Sequence, residues 1–501
     1  MLKEYYTITL TILDGKVAAR VKEITTAKLP PYENLCLNED KLDLQVLDLC
    51  RRLIENDRIR SRADFMLIGQ LLYKILFNDK VRETFDLGRS VADPDSERRL
   101  RVELEFKGDD TLGLFKLPWE YLCYPEDQGD WKFVSTVAEL VLTRYLQPRH
   151  KPQSIVDLDE KKINILLVVL NPQADGLGDL AAVGEEVNSQ LDTLKQTLWQ
   201  RHKIKVTVDR YTGDKAKGEK AVTWEIFKEI IGKPDCRPHI LHLIAHGRFS
   251  EDKRDRSGDV AFPLYDGDDI EVGILGGNID WVADRDFVNA FVTANKLPRF
   301  TFLHMCEGGV INKHDSLAGV ALLLALEGVP AVLAMQHPIE IETSTIFSGA
   351  FYKSLEQGWT IDEAVQLSRA EIAEQNADNR AFGTPVLYLS RESGPILPKI
   401  PKPSRKPEPG LCVVIDIIKY QTFLLPVFVD YQKSAKLTSE SMSPLEKRLR
   451  GLLDKTSADW ISELKAVYQG YSALDIVEER LGQLCTDLKT KVMELELSKS
   501  S

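Results

Sequence analysis

The period of the apolar positions changes several times along the chain, and each change marks an element. Tyr5, Thr7, Thr9 and Thr11 alternate with Tyr6, Ile8, Leu10 and Ile12, and Asp14-Gly15 follows. Period-two alternation closed by Asp-Gly predicts a β-hairpin. Helical spacing takes over at Leu42–Ile54 and Ala63–Phe77, and Leu100–Phe106 reads as a strand. Leu117-Pro118-Trp119-Glu120-Tyr121-Leu122 is an apolar cluster broken by proline, which reads as a buried aromatic anchor under a turn. Residues 1–155 thus form an α+β portion.

From 160 to 392 the pattern becomes a β/α array. Strands are expected at Ile163–Leu170, Lys205–Val208, His239–Ala245, Phe300–Met305, Ala331–Met335 and Pro385–Leu389. Helices are expected at Leu180–Gln200, Ala221–Ile231, Asp284–Ala294, Leu317–Leu326, Phe347–Gln357 and Ile361–Gln375. Strands alternating with helices of this length imply an α/β, doubly wound, mostly parallel sheet.

Residues 395–409 are rich in proline and lysine and read as a stiff linker. Beyond it, 410–501 forms a small, mainly helical C-terminal module. Its apolar run Leu411–Val429 is interrupted by Asp416, Lys419 and Pro426, which favours a buried hairpin or helix pair over a transmembrane span. Val477, Leu481, Leu484, Leu488, Val492 and Leu495 recur three or four apart. Such a stripe packs against another helix, either within the chain or on a partner.

The chain has 501 residues with 43% apolar and 28% charged, as in ordinary globular proteins. A net charge of −12 disfavours nucleic acid and anionic membranes as partners. No signal peptide is expected, since Met1-Leu2-Lys3-Glu4-Tyr5 runs straight into strand-like sequence. The cysteines (36, 50, 123, 236, 306, 412 and 485) are scattered and odd in number. That points to a reducing, cytoplasmic setting. None has C-x-x-C spacing, so no structural metal is expected.

The candidate chemistry lies at two strand ends. Ile240-Leu241-His242-Leu243-Ile244-Ala245 leads into His246-Gly247, and Phe300-Thr301-Phe302-Leu303-His304-Met305 leads into Cys306-Glu307-Gly308-Gly309. In open α/β sheets, sites are built at the carboxyl ends of strands. A thiol and an imidazole delivered there are the parts of a nucleophilic dyad. The glycines after each let backbone approach a substrate closely. Between the two ends lies Arg248–Val282, loaded with charge and glycine, which either walls a cleft or is simply solvated.

Other readings compete. A free cysteine and a lone histidine are common packing residues. His239, His242 and His246 lie close enough in sequence to suggest a metal, although His239 points away from the other two on a strand and His242 reads as core. Gly176-Leu177-Gly178 after the first strand of the array hints at a nucleotide, but lacks the full glycine spacing and a phosphate-binding lysine.

The order Leu241-His242-Leu243-Ile244-Ala245-His246-Gly247-Arg248-Phe249, then Phe302-Leu303-His304-Met305-Cys306-Glu307, resembles the CHAT-domain branch of the caspase-like (clan CD) cysteine peptidases. Leu117-Pro118-Trp119-Glu120 resembles that family's Pro-Trp-Glu motif, and Asp179–Glu186 its acidic segment. Leu317-Ala318, Gly328–Val332, Phe351-Tyr352, Leu355, Gly358, Ala364, Arg369 and Gly383–Tyr388 resemble its later helices and closing strand. The likeness spans roughly residues 1–392. His304 and Met305 depart from it, standing where small residues are usual.

The resemblance implies a caspase-like fold and cleavage of a protein substrate. His246 would be general base and orienting partner, Cys306 the nucleophile, and the backbone N–H groups of Gly247 and Cys306 the oxyanion hole. Glu340 and Glu342 stand near a position where the family commonly carries Asp, and would select a basic P1 side chain. No cofactor is implied. Residues 410–501 would dock an activator or sensor in a prokaryotic regulatory or antiviral defence system. The alternative is a catalytically silent scaffold that keeps the fold without turnover.

Overall fold

The computed structural model describes residues 5–400 except 14–15, 23–37, 42–43, 56–60, 78, 92–98, 107–113, 115–116, 127–129, 149–154, 173–176, 178, 214–218, 250–257, 265–278, 306–317, 337–338, 376–379 and 391–395. Two compact units divide the chain, Met1–Pro401 and Lys402–Ser501. All of the second lies outside the described residues, and with it most of the expected linker, the run Leu411–Val429 and the stripe from Val477 to Leu495.

The chain opens with β1 (Tyr5–Leu13), β2 (Lys16–Lys22) and β3 (Asn38–Lys41), followed by α1 (Leu44–Glu55), α2 (Arg62–Leu76) and α3 (Asp79–Val91). It continues through β4 (Arg99–Phe106), β5 (Cys123–Pro125), β6 (Trp131–Phe133) and β7 (Leu140–Leu146). Leu13 pairs with Lys16, the two-residue hairpin register that Asp14-Gly15 predicts. Helix α2 begins at a capping box, in which the Ser61 hydroxyl accepts from the Asp64 N–H and the Asp64 carboxylate accepts from the Ser61 N–H.

The array follows as β8 (Lys162–Val169), α4 (Ala181–His202), β9 (Lys205–Tyr211), α5 (Trp224–Gly232) and β10 (Ile240–Ala245). Next come β11 (Gly247–Phe249), β12 (Gly258–Pro263), β13 (Ile279–Ala283), α6 (Asp284–Ala294) and β14 (Phe300–Met305). The last elements are α7 (Ala318–Leu326), β15 (Ala331–Met335), α8 (Ile341–Glu356), α9 (Ile361–Gln375) and β16 (Pro385–Ser390). Helix α4 ends at Lys203 and α6 at Asn295, both left-handed (φ 57° and 56°), as helix C-caps commonly are.

The fold is α/β, built on one sheet of eleven described strands in the order β3-β2-β1-β4-β7-β16-β15-β14-β10-β8-β9. Neighbours are parallel except β1/β2, β2/β3 and β15/β16. The sheet therefore runs without a break from the N-terminal portion into the array, joined where β7 lies parallel to β16. Its central strands are apolar runs buried along their whole length, as a sheet covered on both faces requires.

Around the sheet α4, α8 and α9 pack in one group, and α5, α6 and α7 in another. The first group brings Phe347 and Phe351 onto Phe302. The second stacks Phe227 on Phe287 beside Phe262 of β12.

One glycine is held by a close approach. A Cβ at Gly69, in the middle of α2, would lie 2.2 Å from the carbonyl oxygen of Tyr121 and 2.8 Å from Cys123 Sγ. Alanine is the better helix former by about 1 kcal/mol, but backbone on the far side cannot retreat cheaply. Gly69→Ala is expected to lower stability by about 1–3 kcal/mol, the range for overpacking a core. Urea unfolding checks this, and an unchanged or raised midpoint would show that α2 can shift.

Candidate active site

Strands β10 and β14 are direct parallel neighbours, with Ile240 opposite Phe300 and Ala245 opposite Met305. His246 and Cys306 are the next residues in sequence after the two strands. The register thus ends both strands at one level, on the carboxyl edge of the sheet. Cys306, Gly308 and Gly309 lie outside the described residues, and His246 is described and 4% exposed.

The backbone around His246 is fixed from the side. Its carbonyl oxygen accepts from the Ala261 N–H at 2.9 Å. Gly247, the expected oxyanion residue, pairs with Val260 in the antiparallel sheet β11-β12-β13. That small sheet comes from the Arg248–Val282 stretch. The described part is not a solvated loop, because Val260, Ala261, Phe262 and Val282 are buried. Its charged run 251–256 lies outside the described residues. Asp259 is a buried carboxylate on β12, opposite Arg248 of β11, which sequence reasoning missed. The three-residue apolar run after Asp259 is too short to announce a strand.

Neither His239 nor His242 offers a nitrogen to a metal. His239 Nδ1 accepts from the Asn164 N–H at 2.9 Å, and its Nε2 donates to the Asp157 carbonyl at 2.9 Å. His242 is fully buried; Nδ1 lies 2.7 Å from the Tyr352 hydroxyl and Nε2 lies 3.2 Å from His304 Nδ1. Burial, then the neighbouring His304, holds His242 well below the usual imidazole range. Burial alone pushes His304 down to about 3 and pushes the Tyr352 phenol up. Of the candidate nucleotide loop, Gly176 and Gly178 lie outside the described residues. The start of α4 is capped from within the chain, since Asn171 accepts from the Leu180 N–H and Asp179 from the Ala181 N–H.

The depressed imidazoles carry a pH prediction. Unfolded, each titrates near 6.5; folded, well below that. Below pH 6.5 the unfolded chain binds the extra protons, so this stability is complete above pH 6.5 and drains as pH falls toward the folded values. Between pH 7 and 5 His304 is expected to remove about 2 kcal/mol, and His242 acts in the same direction. Denaturation of wild type and His304→Asn at both pH values checks it. Equal losses in the two proteins would contradict the burial account.

Glu340 and Glu342 stand at the start of α8, which follows β15, the neighbour of β14. Both are exposed. Glu340 is the N-cap residue and makes no side-chain cap bond, and Glu342 lies in the first turn, where the helix dipole favours a carboxylate.

Beneath the same edge lies a charged cluster that sequence reasoning took for an aromatic anchor. Trp119 and Tyr121 are indeed buried, and the Trp119 indole donates to the Leu114 carbonyl at 2.9 Å. Between them, Glu120 accepts from Arg144 Nε at 3.0 Å and again from Arg144 Nη2. Gln336, the residue after β15, donates to Glu120 at 3.0 Å and to the Gly383 carbonyl at 2.6 Å. Arg369 Nη2 lies 3.8 Å from Glu120 Oε1, and its guanidinium donates to the carbonyls of Pro385 and Leu142.

Comparison with known proteins adds a family. The CHAT domain model matches residues 67–424, more than half of the chain. No curated protein matches. Among solved structures, the separase–securin complex of Saccharomyces cerevisiae gives 12% identity over 70% of this chain and 22% of the matched chain, at TM-score 0.30. The Arg-specific cysteine proteinase gingipain R gives 10% identity over 68% of this chain and 75% of that one, at TM-score 0.33. This chain therefore spans about a fifth of the first and most of the second. Among the described residues, no helix is long and apolar enough to cross a membrane. The chain belongs to the CHAT domain family.

Proposed function

We propose that this protein is a cysteine endopeptidase in which Cys306 is the nucleophile and His246 its base. The observation that carries the reading is the register of β10 against β14, whose last pair, Ala245 and Met305, is followed after each strand by one member of the dyad. Neighbouring strands run about 4.8 Å apart, within reach of an imidazole and a thiol on adjacent ends. His246 takes the thiol proton, and the thiolate attacks the scissile carbonyl carbon. The oxyanion is held by the N–H groups of Gly247 and Cys306. Collapse expels the amine, which receives the proton from the imidazolium. Water, deprotonated by His246, then releases the acyl group and restores the thiol.

Two further parts belong to this reading. Glu340 and Glu342, exposed carboxylates beyond the strand next to β14, are proposed to receive a basic P1 side chain. Residues 410–501, with the stripe from Val477 to Leu495, are proposed to dock a regulatory partner. The experiment is proteome-wide mapping of new N-termini, with wild type against Cys306→Ala, in cells that hold the protein's own partners. Sites present only with wild type, enriched in Arg or Lys at P1, are the expected result. No site that depends on Cys306 would leave the silent scaffold as the better reading.

A further inference from the structure

Tyr352, His242 and His304 form one hydrogen-bonded chain inside an aromatic core. The Tyr352 hydroxyl lies 2.7 Å from His242 Nδ1, and His242 Nε2 lies 3.2 Å from His304 Nδ1. Both imidazoles are fully buried and Tyr352 nearly so. Phe302 stacks on His242 at 4.3 Å and on His304 at 5.2 Å. Three polar side chains in such surroundings are stable only when paired with one another.

The proton inventory sets the direction of the chain. If the Tyr352 O–H donates to His242 Nδ1, His242 Nε2–H donates to His304 Nδ1, and of these three side chains' groups Nε2 of His304 is left without a partner. The reverse order would leave the phenol proton unused as well. The first order therefore holds, with both imidazoles neutral, as their burial also requires.

The place of this chain matters more than its strength. His242 is on β10, four residues before His246, and His304 is on β14, two residues before Cys306. In register, His242 faces Phe302 and Ile244 faces His304, so the bridge crosses diagonally between the two strands. Its His304 end lies one residue, about 3.3 Å, from the end of β14 at Met305. His304 is also, with Met305, one of the two residues that depart from the resemblance drawn from the sequence.

We propose that the Tyr352–His242–His304 chain is a positioning device for the dyad, fixing the carboxyl ends of β10 and β14 against each other so that His246 meets the Cys306 thiol. The inference rests on the Cys306–His246 reading. Lateral slack of an ångström between the two ends would lengthen the thiol–imidazole hydrogen bond. It would raise the pH at which Cys306 ionises.

Site-resolved alkylation tests it without substrate or activator. The full-length protein is treated with iodoacetamide across pH 5–9, and modification of Cys306 is followed by peptide mass spectrometry. The wild-type midpoint is expected below the ordinary thiol value of about 8.5. His304→Leu, which fills the space but breaks the bridge, should raise the midpoint by about one pH unit, giving about tenfold slower labelling near neutrality. Tyr352→Phe, which removes only the first donor, should move it in the same direction by less. His304→Asn, whose carbonyl can accept in place of Nδ1, should restore it. A fall in melting temperature with an unmoved midpoint in both His304→Leu and Tyr352→Phe would mean a merely structural bridge and overturn the proposal. His246→Ala separates the two ideas. If it shifts the midpoint while the bridge variants do not, only the positioning role fails; if it does not, the dyad itself fails.

Discussion

Glu120→Leu is expected to destabilise the protein by about 3–5 kcal/mol, the range for removing one partner of a buried ion pair. Glu120 and Arg144 are each 1% exposed, and a second guanidinium, Arg369, is equally buried 3.8 Å from the same carboxylate. Burial pushes Arg369 down to about 10 even with Glu120 present. For Arg144 burial acts downward too, and Glu120 and Tyr388 together more than offset it, leaving the guanidinium raised. Without the carboxylate, two cations face each other in a low-dielectric core. Gln336 also loses an acceptor, and with it one tie to the segment after β15. Glu120→Gln, which keeps the shape but not the charge, should fall between wild type and Glu120→Leu. Urea midpoints for both variants measure this. A Glu120→Leu protein within about 1 kcal/mol of wild type would mean that water or relaxation already screens the cluster.

The same cluster shows why some elements were legible in the sequence and others were not. Strands β8, β10, β14 and β15 are mostly apolar because both faces are covered, and that pattern can be read along one segment. Strand β7 is equally buried, but it carries Thr143 and Arg144 and escapes the pattern. Arg144 is tolerable there only because Glu120 meets it, and a contact between distant segments leaves no trace in local periodicity. Helix α8 starts at Ile341 rather than Phe347, because Thr343 and Thr345 weaken the helical signal of a turn that packing secures. The antiparallel direction of β16 follows from the path of α8 and α9, not from its residues.

At the site, His246 and Cys306 stood out because a strand end is a local feature. The sheet that braces His246 did not. Strand β12 is a short apolar run between charge and proline, and its partners β11 and β13 are set by pairing across long separations. His304 read as a departure from its family's pattern until His242, itself bonded to Tyr352, gave it a partner on the neighbouring strand.

Replacing Cys306 by alanine is expected to remove peptide cleavage by at least about a thousandfold, and replacing His246 by alanine by about 10²–10⁴-fold. In the proposed dyad the two act on one proton. An imidazole with no thiol to deprotonate contributes nothing to attack, and a thiol without its base is a weak nucleophile at neutral pH. The double variant should therefore be no slower than Cys306→Ala, because residues that act as a unit are not additive. The assay uses a fluorogenic peptide built on the cleavage site found by N-terminus mapping. Cys306→Ala cleaving at the wild-type rate would remove the thiol from the chemistry. A further loss in the double variant, beyond Cys306→Ala alone, would mean that His246 serves a step that Cys306 does not share. The base would then act on water directly, and the dyad would be two independent groups at one sheet edge.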